Sequence, residues 1–323
     1  MLFITNRSIN EPPKAKIKKT RNISFDLDDS QAGHSVYFCV RSGKEDYQEI
    51  GSKAFLDELR ECKPEQLLFY IHGFSNLPED DIFPRAETLQ KMFGKSFVKV
   101  IPLIWPCDND LGVIKDYWDD QKAADASSFA FARVLEKFMS WRDQNPEDPP
   151  CMKRINVLAH SMGNRVLRET LSNWAKYDRN WKVPLIFRNT FMVAADIINE
   201  SLEREESGKF ICQASRNVSV YYASDDIALR ASKVSNLKNK VASRRLGHSG
   251  PENLELVPRN VYSIDCDDVN TKYDRLKGHS YFLESKKGKK ITPGKVFNHI
   301  FNSIKTGRVD VADPIKRTHI IKG

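Results

Sequence analysis

A serine lies where a predicted buried strand meets a predicted amphipathic helix. The stretch from Ile155 to Asn164 is INVLAHSMGN, which places Ser161 between an apolar run and a helical pattern. Small residues two positions before and after the serine, here Ala159 and Gly163, permit the sharp strand-to-helix turn that exposes a nucleophilic hydroxyl. The pattern predicts that Ser161 is a nucleophile. In the alternative interpretation, Ser161 only caps the helix.

A second loop could supply the hydrogen-bond donors that acyl transfer requires. The apolar run 67–71 is followed directly by His72, Gly73 and Phe74. Where a serine occupies such a turn, one donor comes from the residue after it and another from the loop after an earlier strand. We therefore expect the backbone N–H groups of Phe74 and Met162 to form the oxyanion hole. The alternative is an ordinary turn in which His72 packs against the sheet.

Three histidines between Ser161 and the C-terminal tail are candidates for the general base that a serine nucleophile needs. His279 follows the predicted strand 261–264, so we expect it at the carboxyl edge of the sheet, as the base. His248 precedes that strand, which predicts the opposite edge. His299 lies within a predicted amphipathic helix, where a packed or surface histidine is expected. For His279 itself, the alternative is a histidine in a surface loop.

Two aspartates could orient the base. Asp196 ends the apolar run 191–195, and Asp226 follows the predicted strand 218–223. Both fit the chain order of serine, acid and histidine that this arrangement uses. We predict Asp226 as the acid because it follows the later of the two strands, and we keep Asp196 as the alternative. The adjacent Asp225 is expected to face solvent.

The elements that must position these residues alternate along the chain. Apolar runs predict strands at 35–40, 67–71, 97–105, 155–160, 184–195, 218–223 and 261–264. Most of these runs are apolar throughout, as in strands buried on both faces of a parallel sheet. Helical spacing follows Ser161 and also occurs at 126–141 and 296–304. We predict one α/β domain over residues 1–323, with helices on both faces of a mostly parallel sheet and a turn at 145–150.

Composition indicates a soluble globular protein, since 40% of the 323 residues are hydrophobic and 29% are charged. No apolar stretch approaches the ~18 residues that a membrane span needs. The apolar opening, 1–5, is shorter than a secretory signal and predicts a first strand. The six cysteines are scattered without a CxxC pair, which predicts free thiols rather than disulfides or zinc ligands. We expect a cytoplasmic protein.

The net charge of +8 is unevenly distributed along the chain. Two basic stretches contain Lys14, Lys16, Lys18, Lys19 and Arg21, and Arg230, Lys233, Lys238, Lys240, Arg244 and Arg245. Such stretches can bind phosphate backbones or anionic surfaces, but neither carries the interleaved aromatic residues on which bases stack. We expect no nucleic-acid partner and at most a weak attraction to anionic surfaces.

Six segments together carry a resemblance to a known family. They are MLFITNR at 1–7, HGF at 72–74, WP at 105–106, AHSMGNR at 159–165, DIAL at 226–229 and GHSY at 278–281. These segments resemble a bacterial α/β-hydrolase family of uncharacterised function, over most of the chain. The resemblance implies the α/β-hydrolase fold, a serine-hydrolase triad and esterase- or lipase-like activity. It also favours Asp226 as the acid.

These residues predict a hydrolase of carboxylic esters. Ser161 would attack the ester, His279 would act as base and Asp226 would orient His279, with no metal or cofactor. The substrate would be a small-molecule or lipid-like ester. Two alternatives stay open: an acyltransferase or thioesterase with the same triad, and a catalytically silent binding module, since a fold does not fix a function.

Overall fold

Eleven β-strands form the main sheet of the structure, a computed structural model that describes residues 1–10, 20–108, 113–143, 151–229, 244–275, 277–287 and 290–323. These strands are β1 (Leu2–Thr5), β2 (Arg21–Ile23), β3 (Tyr37–Gly43), β4 (Asp46–Glu49), β5 (Gln66–Ile71), β6 (Val98–Ile104), β7 (Arg154–His160), β8 (Phe187–Val193), β9 (Ser215–Tyr222), β10 (Val261–Asp265) and β13 (Thr318–Ile320). A separate hairpin pairs β11 (Glu284–Lys287) with β12 (Lys290–Pro293).

The strand order in the sheet is β13-β10-β9-β8-β7-β5-β6-β1-β3-β4-β2. Neighbouring strands from β13 to β1 are parallel, and the three strands beyond β1 are antiparallel. The order reverses around β5: β6 lies on one side of it, and β7 to β10 follow on the other. In an open parallel sheet, ligands bind where the order reverses, at the carboxyl ends of the strands.

Helices cover both faces of the sheet. They are α1 (Gly51–Glu61), α2 (Phe83–Phe93), α3 (Val113–Asp143), α4 (Gly163–Asp178), α5 (Lys209–Ala214), α6 (Leu246–Ser249), α7 (Asn270–Tyr273) and α8 (Lys295–Thr306), with a π-helical turn at Pro78–Ile82. The apolar sides of α1, α3, α4 and α5 pack on one face. Those of α2 and α8 pack on the other. Each layer buries the apolar stripe of its helices, and the sequence pattern predicted this for α3, α4 and α8.

The predicted α/β architecture is confirmed, with two differences in the elements near the serine. The strand predicted at 184–195 is observed only over Phe187–Val193, because Ala194 has φ +47° and turns the chain away from the sheet. The helix predicted at 126–141 already begins at Val113. The turn predicted at 145–150 lies outside the described residues.

A row of buried amides crosses the parallel strands. Asn156 of β7, Asn189 of β8 and Asn217 of β9 occupy paired positions in the sheet. Asn189 donates from Nδ2 to Asn156 Oδ1 at 2.8 Å and accepts at Oδ1 from Asn217 Nδ2 at 2.9 Å. Asn156 Nδ2 in turn donates to Gln66 Oε1 of β5 at 3.2 Å. This asparagine ladder satisfies polar groups that would otherwise be costly in the core.

An apolar cavity remains between the sheet and helices α1, α3 and α4, lined by side chains such as Phe69, Leu135 and Val166. Thr170 also lines it, and Thr170 Oγ1 is buried without a hydrogen-bond partner. All six cysteines, each among the described residues, are free. No helix in the described ranges combines the length and apolar character needed to cross a bilayer.

Candidate active site

Ser161 lies in a strained turn between β7 and α4. Its φ of +52° falls in the left-handed region that residues other than glycine rarely adopt. The turn is fixed by the backbone: Ser161 N–H donates to Val193 O at 3.0 Å, and Ser161 O accepts the N–H of Asp196 at 3.2 Å. The N-cap of α4 is Met162, and no side chain forms a cap hydrogen bond there. Ser161 therefore does not cap the helix, which was the alternative interpretation.

Two glycines allow the serine turn to pack against the end of β5. A Cβ on Gly163 would lie 2.5 Å from His72 O and 2.6 Å from Ile71 O, too close for any side chain. A Cβ on Gly73 would lie 2.9 Å from Ser161 Cβ. The glycine of the serine turn and the glycine of the His-Gly-Phe loop therefore have the same role, which is to let the two loops touch.

A buried histidine holds the His-Gly-Phe loop. His72 Nδ1 lies 2.8 Å from Gly73 O, which requires a proton on Nδ1 because a carbonyl oxygen only accepts. His72 Nε2 then accepts the N–H of Trp105 at 3.1 Å, and the two rings stack at 5.0 Å. Burial lowers the pKa of His72 to about 3, so the ring stays neutral. His72 thus packs against the sheet and also braces the loop beside Ser161.

The two predicted oxyanion donors carry unused N–H groups. Among the described residues, the N–H groups of Phe74 and Met162 have no hydrogen-bond acceptor. Each follows directly one of the two residues, Gly73 and Ser161, that touch each other. Asn76 Nδ2 donates to the carbonyl oxygens of Gly73 at 3.0 Å and Phe74 at 2.5 Å, which keeps both oxygens occupied. The arrangement leaves two donors available for a ligand next to the serine.

His279 and Asp226 are joined by a short hydrogen bond. His279 Nδ1 lies 2.7 Å from Asp226 Oδ2, and the Asp226 side chain is fully buried. The other oxygen of Asp226 accepts the N–H of Leu229 at 3.0 Å. Because a carboxylate only accepts, His279 Nδ1 carries the proton and donates it to Asp226. In the neutral imidazole, Nε2 is then unprotonated. Asp226 follows β9 at the carboxyl edge of the sheet, as predicted.

The loop that carries His279 is held by hydrogen bonds to Asp274 and Asn270, which were not predicted from the sequence. Asp274 Oδ2 accepts the backbone N–H groups of His279 at 3.0 Å and of Ser280 at 2.9 Å. Asn270 Nδ2 donates to Gly278 O at 3.2 Å and also to Asp225 Oδ1. The prediction that Asp225 faces solvent was therefore wrong. Asp225 is half-buried and helps to join the acid loop to the histidine loop.

His160, directly before the serine, was also missed. Its ring lies 4.7 Å from the His279 ring, and its Nε2 donates to His279 O at 3.3 Å. Burial lowers the pKa of His160 well below the usual range, so it stays neutral. His160 connects the serine turn to the histidine loop. The only sequence signal was its position beside the serine.

Asp196, the alternative acid, has other partners. Its Oδ1 lies 3.2 Å from Nε of Arg245, and its Oδ2 accepts the hydroxyl of Tyr117 at 2.9 Å. All three side chains are buried. The structure therefore brings Asp226, and not Asp196, to His279.

His299 lies where the sequence predicted, and His248 does not. His299 of α8 is packed, as expected: Tyr221 Oη lies 2.8 Å from its Nδ1, and its Nε2 donates to Asp310 O at 2.8 Å. The prediction that His248 lies at the edge opposite the site was wrong. Its segment crosses the carboxyl edge of the sheet, since Gly247 N–H donates to Ala195 O at 2.9 Å. The chain then returns to the opposite edge before β10 begins.

Only part of each basic stretch lies within the described residues. Arg21 pairs with Glu49, with Nε and Oε2 2.5 Å apart, and Arg245 pairs with Asp196 as described. The remaining basic residues other than Arg244 lie outside the described ranges; they are Lys14, Lys16, Lys18, Lys19, Arg230, Lys233, Lys238 and Lys240. Within those ranges, no group of three or more His, Cys, Asp or Glu side chains is arranged to hold a metal ion.

No curated protein matches the chain. A family model described as an alpha/beta hydrolase of unknown function matches residues 48–292, which include the serine turn, both carboxylates and His279. The fold agrees with that description, because a mostly parallel sheet is covered by helices on both faces. The chain therefore belongs to the family of alpha/beta hydrolases of unknown function, DUF900.

Proposed function

We propose that the protein hydrolyses carboxylic esters with Ser161 as nucleophile, His279 as general base and Asp226 as the residue that orients His279. Ser161 Oγ attacks the ester carbonyl while His279 Nε2 takes its proton. The N–H groups of Phe74 and Met162 stabilise the oxyanion of the tetrahedral intermediate. His279 then protonates the departing alcohol, and water releases the acid from the acyl-enzyme by the same steps.

The observation that carries the proposal is the 2.7 Å hydrogen bond between His279 Nδ1 and the buried Asp226, at the edge where Ser161 adopts φ +52°. A strained serine turn on its own has several explanations. Beside an oriented imidazole and two unused N–H groups, it favours acyl transfer. We propose a small-molecule or lipid-like ester as the substrate. Free cysteine thiols favour a reducing compartment such as the cytoplasm.

The test is labelling with a fluorophosphonate probe, followed by turnover of p-nitrophenyl esters of increasing chain length. We expect the wild-type protein to label and Ser161→Ala to lose both labelling and turnover, by several orders of magnitude, because the nucleophile is gone. Ser172→Ala, in helix α4, is the matched control and should behave as wild type. A wild-type protein that neither labels nor turns over any ester would support the binding-module alternative instead.

A further inference from the structure

A buried carboxylate from α3 reaches the loop that carries the proposed oxyanion donor. Asp120 is fully buried, and its two oxygens accept the backbone N–H groups of Ser75 at 2.9 Å and Asp108 at 3.3 Å. Ser75 directly follows Phe74, so this hydrogen bond fixes the peptide one residue beyond the proposed donor. The proposed mechanism does not use Asp120.

The loop needs such a support because its backbone is strained. Ser75 has φ +57°, a conformation that costs energy for a residue with a side chain. The Phe74 ring packs edge-on against Tyr117, at a centroid distance of 5.7 Å, and Tyr117 lies one turn before Asp120 in α3. Helix α3 therefore contacts Phe74 through the Tyr117 ring and Ser75 through the Asp120 carboxylate.

We propose that Asp120 is a positioning residue that holds the N–H of Phe74 in the direction required for the oxyanion. This inference rests on the proposed function. A carboxylate is a stronger acceptor than a neutral group, so it can keep the Ser75 peptide in the left-handed conformation. Asp120 acts through Ser75 and does not touch the substrate.

The position of Asp120 is unfavourable for stability. Burial raises the pKa of Asp120 to about 7, against the opposing effect of the N–H groups of Ser75 and Asp108. The ionisable groups that face it are Asp108, Cys107 and, from the segment after β1, Arg7. Because the folded-state pKa is raised, the ionised form is penalised in the folded protein. Stability is then lost as the pH rises towards 7, and the full penalty applies above it.

The test compares Asp120→Asn with Asp119→Asn, which removes a half-buried carboxylate from the same helix, one that pairs with the exposed Lys122. At pH 8 we expect Asp120→Asn to have a higher Tm than wild type, because the buried charge is gone. We expect its kcat to fall by about ten-fold or more with KM nearly unchanged, since an oxyanion donor acts mainly in the transition state. Asp119→Asn should match wild type in both. A purely structural role for Asp120 would lower Tm and kcat together and would overturn the inference.

A second measurement compares the pH dependence of kcat in wild type and in Asp120→Asn. Protonation of Asp120 weakens its hold on Ser75, so it should lower kcat as the pH falls through the raised pKa of Asp120. We expect kcat of wild type to fall by about ten-fold more than that of Asp120→Asn between pH 8 and pH 5, because the variant lacks the titrating carboxylate. An equal fall in both proteins, or an Asp120→Asn kcat within about two-fold of wild type at pH 8, would overturn the inference while an inactive Ser161→Ala left the proposed function standing. An active Ser161→Ala would remove both.

Discussion

At the scale of single residues, two carboxylates at the same edge of the sheet have different surroundings. Asp226 contacts an imidazole, and Asp196 contacts a guanidinium and a phenol. An imidazole can pass a proton to and from a substrate at neutral pH, whereas a guanidinium stays protonated. The partners, more than the positions, therefore support Asp226 as the proposed catalytic acid and give Asp196 a proposed structural role.

This difference predicts opposite results for two matched substitutions. Asp226→Asn should lower kcat by a factor of about a thousand or more, because the imidazole loses its tautomer, with only a small change in Tm. Asp196→Asn should leave Arg245 buried without a counter-charge and cost about 3 kcal/mol or more of unfolding free energy. Its kcat should change far less. Ester turnover and urea unfolding of both variants measure this, and a collapse of kcat confined to Asp196→Asn would reverse the assignment.

Much of the candidate site was predictable because its residues follow strand ends in chain order. Ser161, Asp226 and His279 each follow an apolar run, and position alone placed them at one edge. Asp120, His160 and Asp274 were not found. Asp120 and His160 contact segments that are far apart in sequence, and the Asp274 contacts depend on the conformation of its loop. None of these contacts produces a periodic pattern in the sequence.

At the scale of elements, the buried parallel strands were predictable and the edge strands were not. Strands β5 to β10 are buried on both faces and therefore form apolar runs. Strand β4 has only Tyr47 buried, and β2 only Ile23, so neither has an apolar run or a regular alternation. Helix α1 buries Phe55, Leu56 and Leu59 among charged residues and was also missed.

The asparagine ladder makes a prediction about the central strands. Asn189→Leu would deprive Asn156 Oδ1 of its donor and remove an acceptor from Asn217. We expect a loss of about 1–3 kcal/mol in unfolding free energy, as for other buried polar groups left unpaired. Asn302→Leu, at an exposed site on α8, is the control and should cost little. Turnover should stay normal for folded Asn189→Leu, and an unchanged free energy of unfolding would contradict the prediction.

At the scale of the whole molecule, one helical layer is incompletely filled. The layer with α1, α3 and α4 keeps a cavity, and within it Thr170 holds a hydroxyl that has no partner. On the strands, Thr190 has a similar burial, but its hydroxyl lies 2.7 Å from that of Ser215. The buried hydroxyl of Thr190 therefore has a hydrogen-bond partner, whereas that of Thr170 has none among the described residues.

Replacing each threonine by valine should change stability in opposite directions. Thr170→Val removes an unpaired buried hydroxyl and keeps the shape, so we expect a gain of about 1 kcal/mol in unfolding free energy. Thr190→Val removes a made hydrogen bond and leaves Ser215 without it, so we expect a loss of similar size. Chemical denaturation with unchanged ester turnover measures both, and a loss in Thr170→Val would argue against an unsatisfied hydroxyl there.

The asparagine ladder also constrains how the length of this chain can change. His160 and Val193, the last residues of β7 and β8, each lie four positions beyond a ladder asparagine and pair with one another. One residue inserted between Asn156 and Ser161 would move the serine by about 3.3 Å and turn every side chain between them to the other face. Insertions before the ladder would leave the serine where it is. Natural and engineered insertions should therefore accumulate on the amino-terminal side of the ladder, and the spacing from ladder to serine should stay constant.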